Sequence, residues 1–175
     1  TSGAAPAVYG EIRNPDAQTT VLFYAHYDGQ PAGEARSWAT PAFQPTLRRG
    51  RLEDLAPVVE PGVAKFPLDD DSRIYARSAS DDKGPIMALM VALDALRAQG
   101  EAQNANVRFF FEGEEEAGSP HLADHLQAHA DKLRADLWIF ADGPIDPSGR
   151  PRVVLGVRGL QTFSITVYGA GTALH

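Results

Sequence analysis

Short runs of aliphatic, β-branched and aromatic residues punctuate an otherwise polar chain: Val21 to Ala25 (VLFYA), Val107 to Phe111 (VRFFF), Leu137 to Ala141 (LWIFA), Val153 to Leu155 and Phe163 to Tyr168. The first three are too apolar to alternate, which predicts strands buried on both faces of a sheet covered by helices. Between them lie stretches with helical spacing. Pro85 to Ala98 (PIMALMVALDALRA) is rich in Ala, Leu and Met, opens on a Pro suited to a first turn, and stops at Gly100. Ser119 to Leu133 opens on Ser-Pro and carries Leu122, Leu126 and Leu133 near helical spacing. Alternating strands and helices predict an α/β architecture.

Residues 27 to 72 break the pattern. Pro31, Pro41, Pro45, Pro57, Pro61 and Pro67 recur among several glycines, predicting a long irregular connection with a short hairpin around Arg49-Gly50-Arg51. Such long loops inside a domain are usually functional or mobile. The Asp69-Asp70-Asp71 run lacks the alternating spacing of a calcium loop and reads as solvated. From Leu160 onward the chain alternates, Phe163, Ile165 and Val167 against Thr162, Ser164, Thr166 and Tyr168, as a half-exposed strand of a different sheet would. Residues 1–157 are therefore expected to form one incomplete core domain, and residues 158–175 the start of a second domain that is cut off.

Composition narrows the function. The chain has 175 residues, of which 43% are hydrophobic and 22% charged, enough for an ordinary core. Its 16 Lys and Arg against 23 Asp and Glu leave a net charge of −7, which argues against nucleic acid as a partner. No stretch approaches the roughly 18 apolar residues of a membrane span, and the start, TSGAAPAVYG, carries no signal-peptide pattern. Neither a membrane nor a nucleic acid is expected as a partner. The absence of Cys removes disulfides, thiolate nucleophiles and Cys-ligated zinc, so any metal must sit on His, Asp and Glu. The compartment stays open between the cytoplasm and export with a signal already removed.

The acids fall where the apolar runs stop. VLFYA leads into His26-Tyr27-Asp28, VRFFF into Glu112-Gly113-Glu114-Glu115-Glu116, and LWIFA into Asp142. Asp81-Asp82 follows a short strand at Ser72 to Tyr75 and precedes the Pro85 helix. In an open α/β sheet the carboxyl ends of strands converge on one crevice, where ligands bind. Each piece alone has a plainer reading: a surface His, a solvated helix start, a turn. Together they would crowd like charges at a cost of several kcal/mol, and divalent cations are the natural counter-charge. A His and carboxylate donor set without sulfur suits zinc, cobalt or manganese, and the excess of carboxylates suits two ions sharing a bridging Asp.

On the stretches YAHYDGQPA, WATPAF, IYARSASDDKGPI, FEGEEEAGS, FADGP, GVRG and a final ALH, the chain resembles the co-catalytic zinc metallopeptidases. That family includes carnosinase-type dipeptidases, carboxypeptidase G, acetylornithine and succinyl-diaminopimelate deacylases and aminoacylase, and the dipeptidase branch is the nearest. The resemblance implies a mixed, mostly parallel sheet with flanking helices, a zinc-peptidase fold of the phosphorylase/hydrolase-like kind, running into the first strand of an α+β lid and dimerisation domain. It implies His26 and Asp142 as ligands of one metal, Glu116 as a ligand of the other, and Asp81 as the bridge. Asp28 would hydrogen-bond His26, and Glu115 would be the general base. His175 resembles a lid histidine that reaches a neighbouring active site to bind substrate. The Asp81-Asp82 peptide is expected to be cis.

The activity implied is amide hydrolysis in short peptides, with deacylation of N-acyl amino acids as an alternative, in a homodimer joined through the lid. A reading from another class is a non-catalytic acidic domain that binds a cation or a partner. The chain departs from the family at Ala76-Arg77-Ser78, where Gly-Arg-Gly is usual, and in a long segment from Glu53 to Ser72. The distal His ligand is absent, so this piece is expected to be inactive alone. His121, His125 and His129 are read as a solvent-facing stripe on an outer helix.

Overall fold

A computed structural model describes residues 3–60, 62–101, 103–146 and 148–172. Its regular elements are, in chain order, β1 (Val8–Ile12), β2 (Thr20–His26), β3 (Thr46–Arg48), β4 (Arg73–Tyr75), α1 (Gly84–Ala98), β5 (Asn106–Glu112), α2 (Leu122–Ala128), α3 (Ala130–Leu133) and β6 (Leu137–Phe140). The four-stranded sheet has the order β1-β5-β2-β6. β2 runs parallel to both β5 and β6, whereas β1 is antiparallel to β5. The expectation of a mixed, mostly parallel sheet in an α/β fold therefore holds.

Register follows from the apolar runs. Val21 lies opposite both Val107 and Leu137, so the VLFYA, VRFFF and LWIFA segments stack side by side and their polar ends line up along one edge. Leu22, Tyr24 and Phe110 pack with Leu133 as the buried core, with Leu122 and Trp138 against it. Each fully buried large side chain contributes about 1.5–3 kcal/mol. α2 and α3 are separated by a break at His129, whose φ of −122° and ψ of 23° leave the helical region.

Several expectations are corrected. The LWIFA strand is not buried on both faces: β6 is an edge strand, with Leu137 52% and Phe140 63% exposed. α1 starts one residue earlier than the spacing predicts and buries no residue. The Arg73–Tyr75 strand belongs not to the main sheet but to a two-stranded antiparallel sheet with β3. The short hairpin expected around Arg49-Gly50-Arg51 is present as an antiparallel bridge between Arg48 and Val58, with the Val59 amide donating to the Leu47 carbonyl at 2.8 Å and the Arg49 amide to the Pro57 carbonyl at 3.1 Å. β1 was not foreseen; its alternation is weak, and Gly10 provides room for Phe109, whose ring would lie 3.1 Å from an added Cβ.

The chain divides into two units, one ending at Gly143 and one beginning at Pro144. In the second, Asp146 accepts from the Ser148 backbone and hydroxyl and from Arg152. The strands expected at Val153 to Leu155 and Phe163 to Tyr168 are absent from the described residues, and Leu155, Phe163, Ile165 and Val167 are exposed there. A strand needs a neighbour to satisfy its backbone, and this unit supplies none among the described residues. Among the described residues no helix is long and apolar enough to cross a membrane.

Candidate metal centre

His26 closes β2 and is 1% exposed. Parallel pairing sets it opposite Glu112, the last residue of β5. Beyond β6 the ladder continues through Ala141, whose amide donates to the Tyr24 carbonyl at 2.8 Å, and this brings Asp142 to the same edge. A 3-10 turn at Glu115–Ala117 follows β5, and a wide turn at Ala79–Lys83 carries Asp81 and Asp82 from the other side. The Asp81-Asp82 peptide is cis, as the resemblance implies.

These elements surround one imidazole with acids. Nδ1 of His26 lies 3.1 Å from Asp28 Oδ1, and Nε2 lies 3.0 Å from Asp81 Oδ1. Glu115 Oε2 and Asp142 Oδ2 are each 3.9 Å from Nε2. One ligand atom each from His26, Glu115 and Asp142 fall within 4.8 Å of one another. The His26 backbone amide donates to Asp82 Oδ2 at 3.1 Å.

Of the residues expected at the site, His26, Asp28, Asp81, Glu115 and Asp142 meet here. Glu116 stands beside them, but its Oε2 accepts from Gln30 Nε2 at 2.7 Å, and its amide donates to Asp28 Oδ2 at 3.1 Å. His175 lies outside the described residues.

The electrostatics reflect the crowding. Burial pushes the Glu115 carboxyl above its ordinary range; the His26 charge opposes this, while Asp142 and Glu116 add to it. Burial does the same to Asp142, against His26 and with Asp81 and Glu116. Asp82 is pushed up to about 6, chiefly by burial. For His26, burial pulls the imidazole down, but Asp142, the Asp28 hydrogen bond, Asp82 and Glu115 outweigh it and raise its proton affinity. Among the described residues no Lys or Arg forms an ion pair with this group, and Lys83 instead donates to the Tyr27 carbonyl at 2.6 Å. An anionic cluster around a buried imidazole, with no Lys or Arg paired to it among the described residues, fits a divalent metal in both charge and donor type.

The stripe expected at His121, His125 and His129 is only partly solvent-facing. His129 is exposed, but His121 Nδ1 lies 2.8 Å from Glu114 Oε2, and the His125 ring stands edge-on to Phe110 with centroids 6.5 Å apart. The cause is that α2 turns this face toward the sheet.

Sequence reasoning assigned no role to Gln30, Tyr24, Glu112 or Ser119. For Glu112 a signal existed: period-two alternation places it on the same inward face as Phe110, so an acid there had to be buried.

The fold and the donor set together define an α/β domain built to hold divalent cations at the carboxyl edge of its sheet. A model of the peptidase family M20/M25/M40 matches residues 54–174, and the chain belongs to that family. It is 33% identical over 172 residues to the Cys-Gly metallodipeptidase dug1 of Schizosaccharomyces pombe, covering 97% of this chain and 32% of that protein. The human Beta-Ala-His dipeptidase is 28% identical over 164 residues, covering 93% and 28%. Among solved structures, an M20 family metallo-carboxypeptidase from Sulfolobus solfataricus matches with a TM-score of 0.61 and 38% identity, over 84% of this chain and 28% of that one. Human carnosine dipeptidase 1 matches with a TM-score of 0.58 and 27% identity, over 80% and 26%. The chain thus spans about a third of the length of the relatives it matches, or less.

Proposed function

We propose that this chain is the core of the catalytic domain of a metal-dependent peptidase that hydrolyses the amide bond of short peptides, dipeptides foremost. The observation that carries the reading is the convergence of His26, Asp81, Glu115 and Asp142 on one edge of the sheet, with no Lys or Arg paired to them among the described residues. Relatives named as dipeptidases support the substrate class.

His26 and Asp142 would hold one ion, Glu116 the other, and Asp81 both. Zinc suits this donor set best, with cobalt or manganese as substitutes. When bound, the two ions would supply Lewis acidity to the attacking water and to the scissile carbonyl. Asp28 would take the Nδ1 proton of His26, so that Nε2, which faces Asp81 Oδ1 at 3.0 Å, is the nitrogen turned toward a cation. Glu115, whose proton affinity burial has raised, takes a proton from the attacking water and passes it to the leaving nitrogen.

A second assignment exchanges the two glutamates. It is favoured by one observation, that Glu115 rather than Glu116 falls in the three-residue group around His26. Residues 158–175 would begin a lid through which two chains pair, with His175 reaching a substrate.

The test uses the full-length protein. Metal analysis is expected to find two equivalents per chain, and a panel of dipeptides and of N-acetyl and N-succinyl amino acids is expected to show fastest cleavage of dipeptides. Glu115→Gln should abolish turnover with metal content retained, whereas Glu116→Gln should lose an equivalent. The reverse pattern would exchange the two roles. Cleavage of the acyl compounds alone would make the protein a deacylase, and calcium or no metal with no turnover would make it a binding domain.

A further inference from the structure

Glu112 is an acid with no place in the cluster around His26, yet it is 3% exposed at the end of β5. Burying a carboxylate is costly unless donors meet it. Two do, and both reach the same atom. The Tyr24 hydroxyl donates to Glu112 Oε1 from β2, and Ser119 Oγ donates to it at 2.6 Å from beyond the turn. Tyr24 is itself fixed in the core, its ring centroid 4.9 Å from that of Phe140 and 6.2 Å from that of Phe110.

Glu112 and Ser119 bracket the segment that carries Glu115 and Glu116. Glu112 stands at its start, where its carbonyl also takes the Tyr27 amide at 2.9 Å, and Ser119 stands at its end. Inside, the Ser119 amide donates to the Glu114 carbonyl and the Gly118 amide to the Glu115 carbonyl, each at 2.8 Å. Closing the loop through a side chain rooted in the sheet removes a freedom the turn's own hydrogen bonds leave, namely rotation of the whole turn relative to the strand edge.

We infer that Glu112 is a positioning residue, whose carboxylate clasps Ser119 to Tyr24 and thereby fixes the aim of the Glu115 and Glu116 side chains. An apolar residue would fill the same space at less cost in burial. A polar group satisfied by two donors instead selects one arrangement of the turn. The catalytic consequence rests on the roles proposed above for Glu115 and Glu116; the clasp itself does not.

The experiment has two arms, both on the full-length protein, with Tyr24→Phe, Ser119→Ala, Glu112→Gln and Glu112→Met. In the first, amide hydrogen exchange of the segment 113–119 is expected to quicken about tenfold in Tyr24→Phe and Ser119→Ala, the effect of losing one hydrogen bond, with β1 unaffected. In the second, kcat on the best-cleaved dipeptide is expected to fall about tenfold in the same variants, with KM within twofold and metal content unchanged. Glu112→Gln keeps an acceptor at Oε1 and should retain most of kcat, whereas Glu112→Met should not. Unchanged exchange in both hydroxyl variants overturns the clasp, whether or not the wild type proves to be a peptidase. Quickened exchange with kcat intact overturns the positioning role. If Glu112→Met fails to fold, Ser119→Ala still decides both.

Discussion

Asp28 Oδ1 lies 3.1 Å from Nδ1 of His26, and the other oxygen of the same carboxylate accepts the Glu116 amide at 3.1 Å. One acid thus orients both the buried imidazole and the turn that follows β5. On the ligand set proposed above, Asp28→Asn is expected to weaken zinc binding by the full-length protein about 10- to 100-fold, the usual effect of removing a carboxylate behind a ligating His. Calorimetric titration with zinc measures this, and an unchanged affinity would assign Asp28 to the fold alone.

The buried Asp82 predicts a pH effect on the metal-free protein. Its carboxyl ordinarily titrates near 3.8 and is pushed up to about 6 by burial. Between those values the folded chain holds this proton more tightly than the unfolded chain. The contribution to stability is complete below about 3.8 and is lost as the pH rises through about 6. Asp82→Asn carries no charge at any pH, so in chelator it should melt above the wild type at pH 7.5, with the difference shrinking toward pH 4. Thermal melts across that range check the trend, and a difference independent of pH would refute it.

Gly29 and Ser78 are coupled by close approach. A Cβ on Gly29 would overlap Ser78 Oγ and lie 2.9 Å from Ser78 Cβ, while Ser78 holds a left-handed φ of 63° just before the Asp81 turn. Gly29→Ala is expected to destabilise the protein by about 1–3 kcal/mol. Adding Ser78→Gly removes both the obstacle and the cost of the left-handed backbone, so the double variant should recover most of the loss. Urea unfolding of the two single variants and the double variant measures the coupling, and purely additive effects would contradict it.

Leu22 is fully buried between Tyr24, Phe110 and Leu133, and Leu155 is 96% exposed. Leu22→Ala should cost about 2–5 kcal/mol in denaturant unfolding of the full-length protein. Leu155→Ala should cost far less, and a comparable loss for both would place the core elsewhere.

Much of the site was legible because polarity changes abruptly along the chain. Runs such as VLFYA, leading into His26, and LWIFA, leading into Asp142, announce both the strand and the charged edge beyond it. Helix α1 was legible from Pro85 and Gly100, since capping is local chemistry. The contrast between Glu115 and Glu116 was not, because two adjacent identical side chains in a turn differ only in what surrounds them. Glu116 meets Gln30, 86 positions away in sequence, and Glu115 meets His26.

By itself the sequence determined the α/β class, the strands of the parallel core, the helices, and the gathering of His26, Asp28, Asp81, Glu115 and Asp142, since unbroken apolar runs, helical spacing and the acids at the ends of the runs are all local patterns. Tertiary structure alone decided that β1 joins β5, that β6 is an edge, that β4 leaves the main sheet, and that Phe163 to Tyr168 forms no strand. It also decided that Glu112 is buried against Tyr24 and Ser119. The reason is the same in each case: a strand's neighbours and a buried acid's donors come from distant parts of the chain, and no local pattern specifies them.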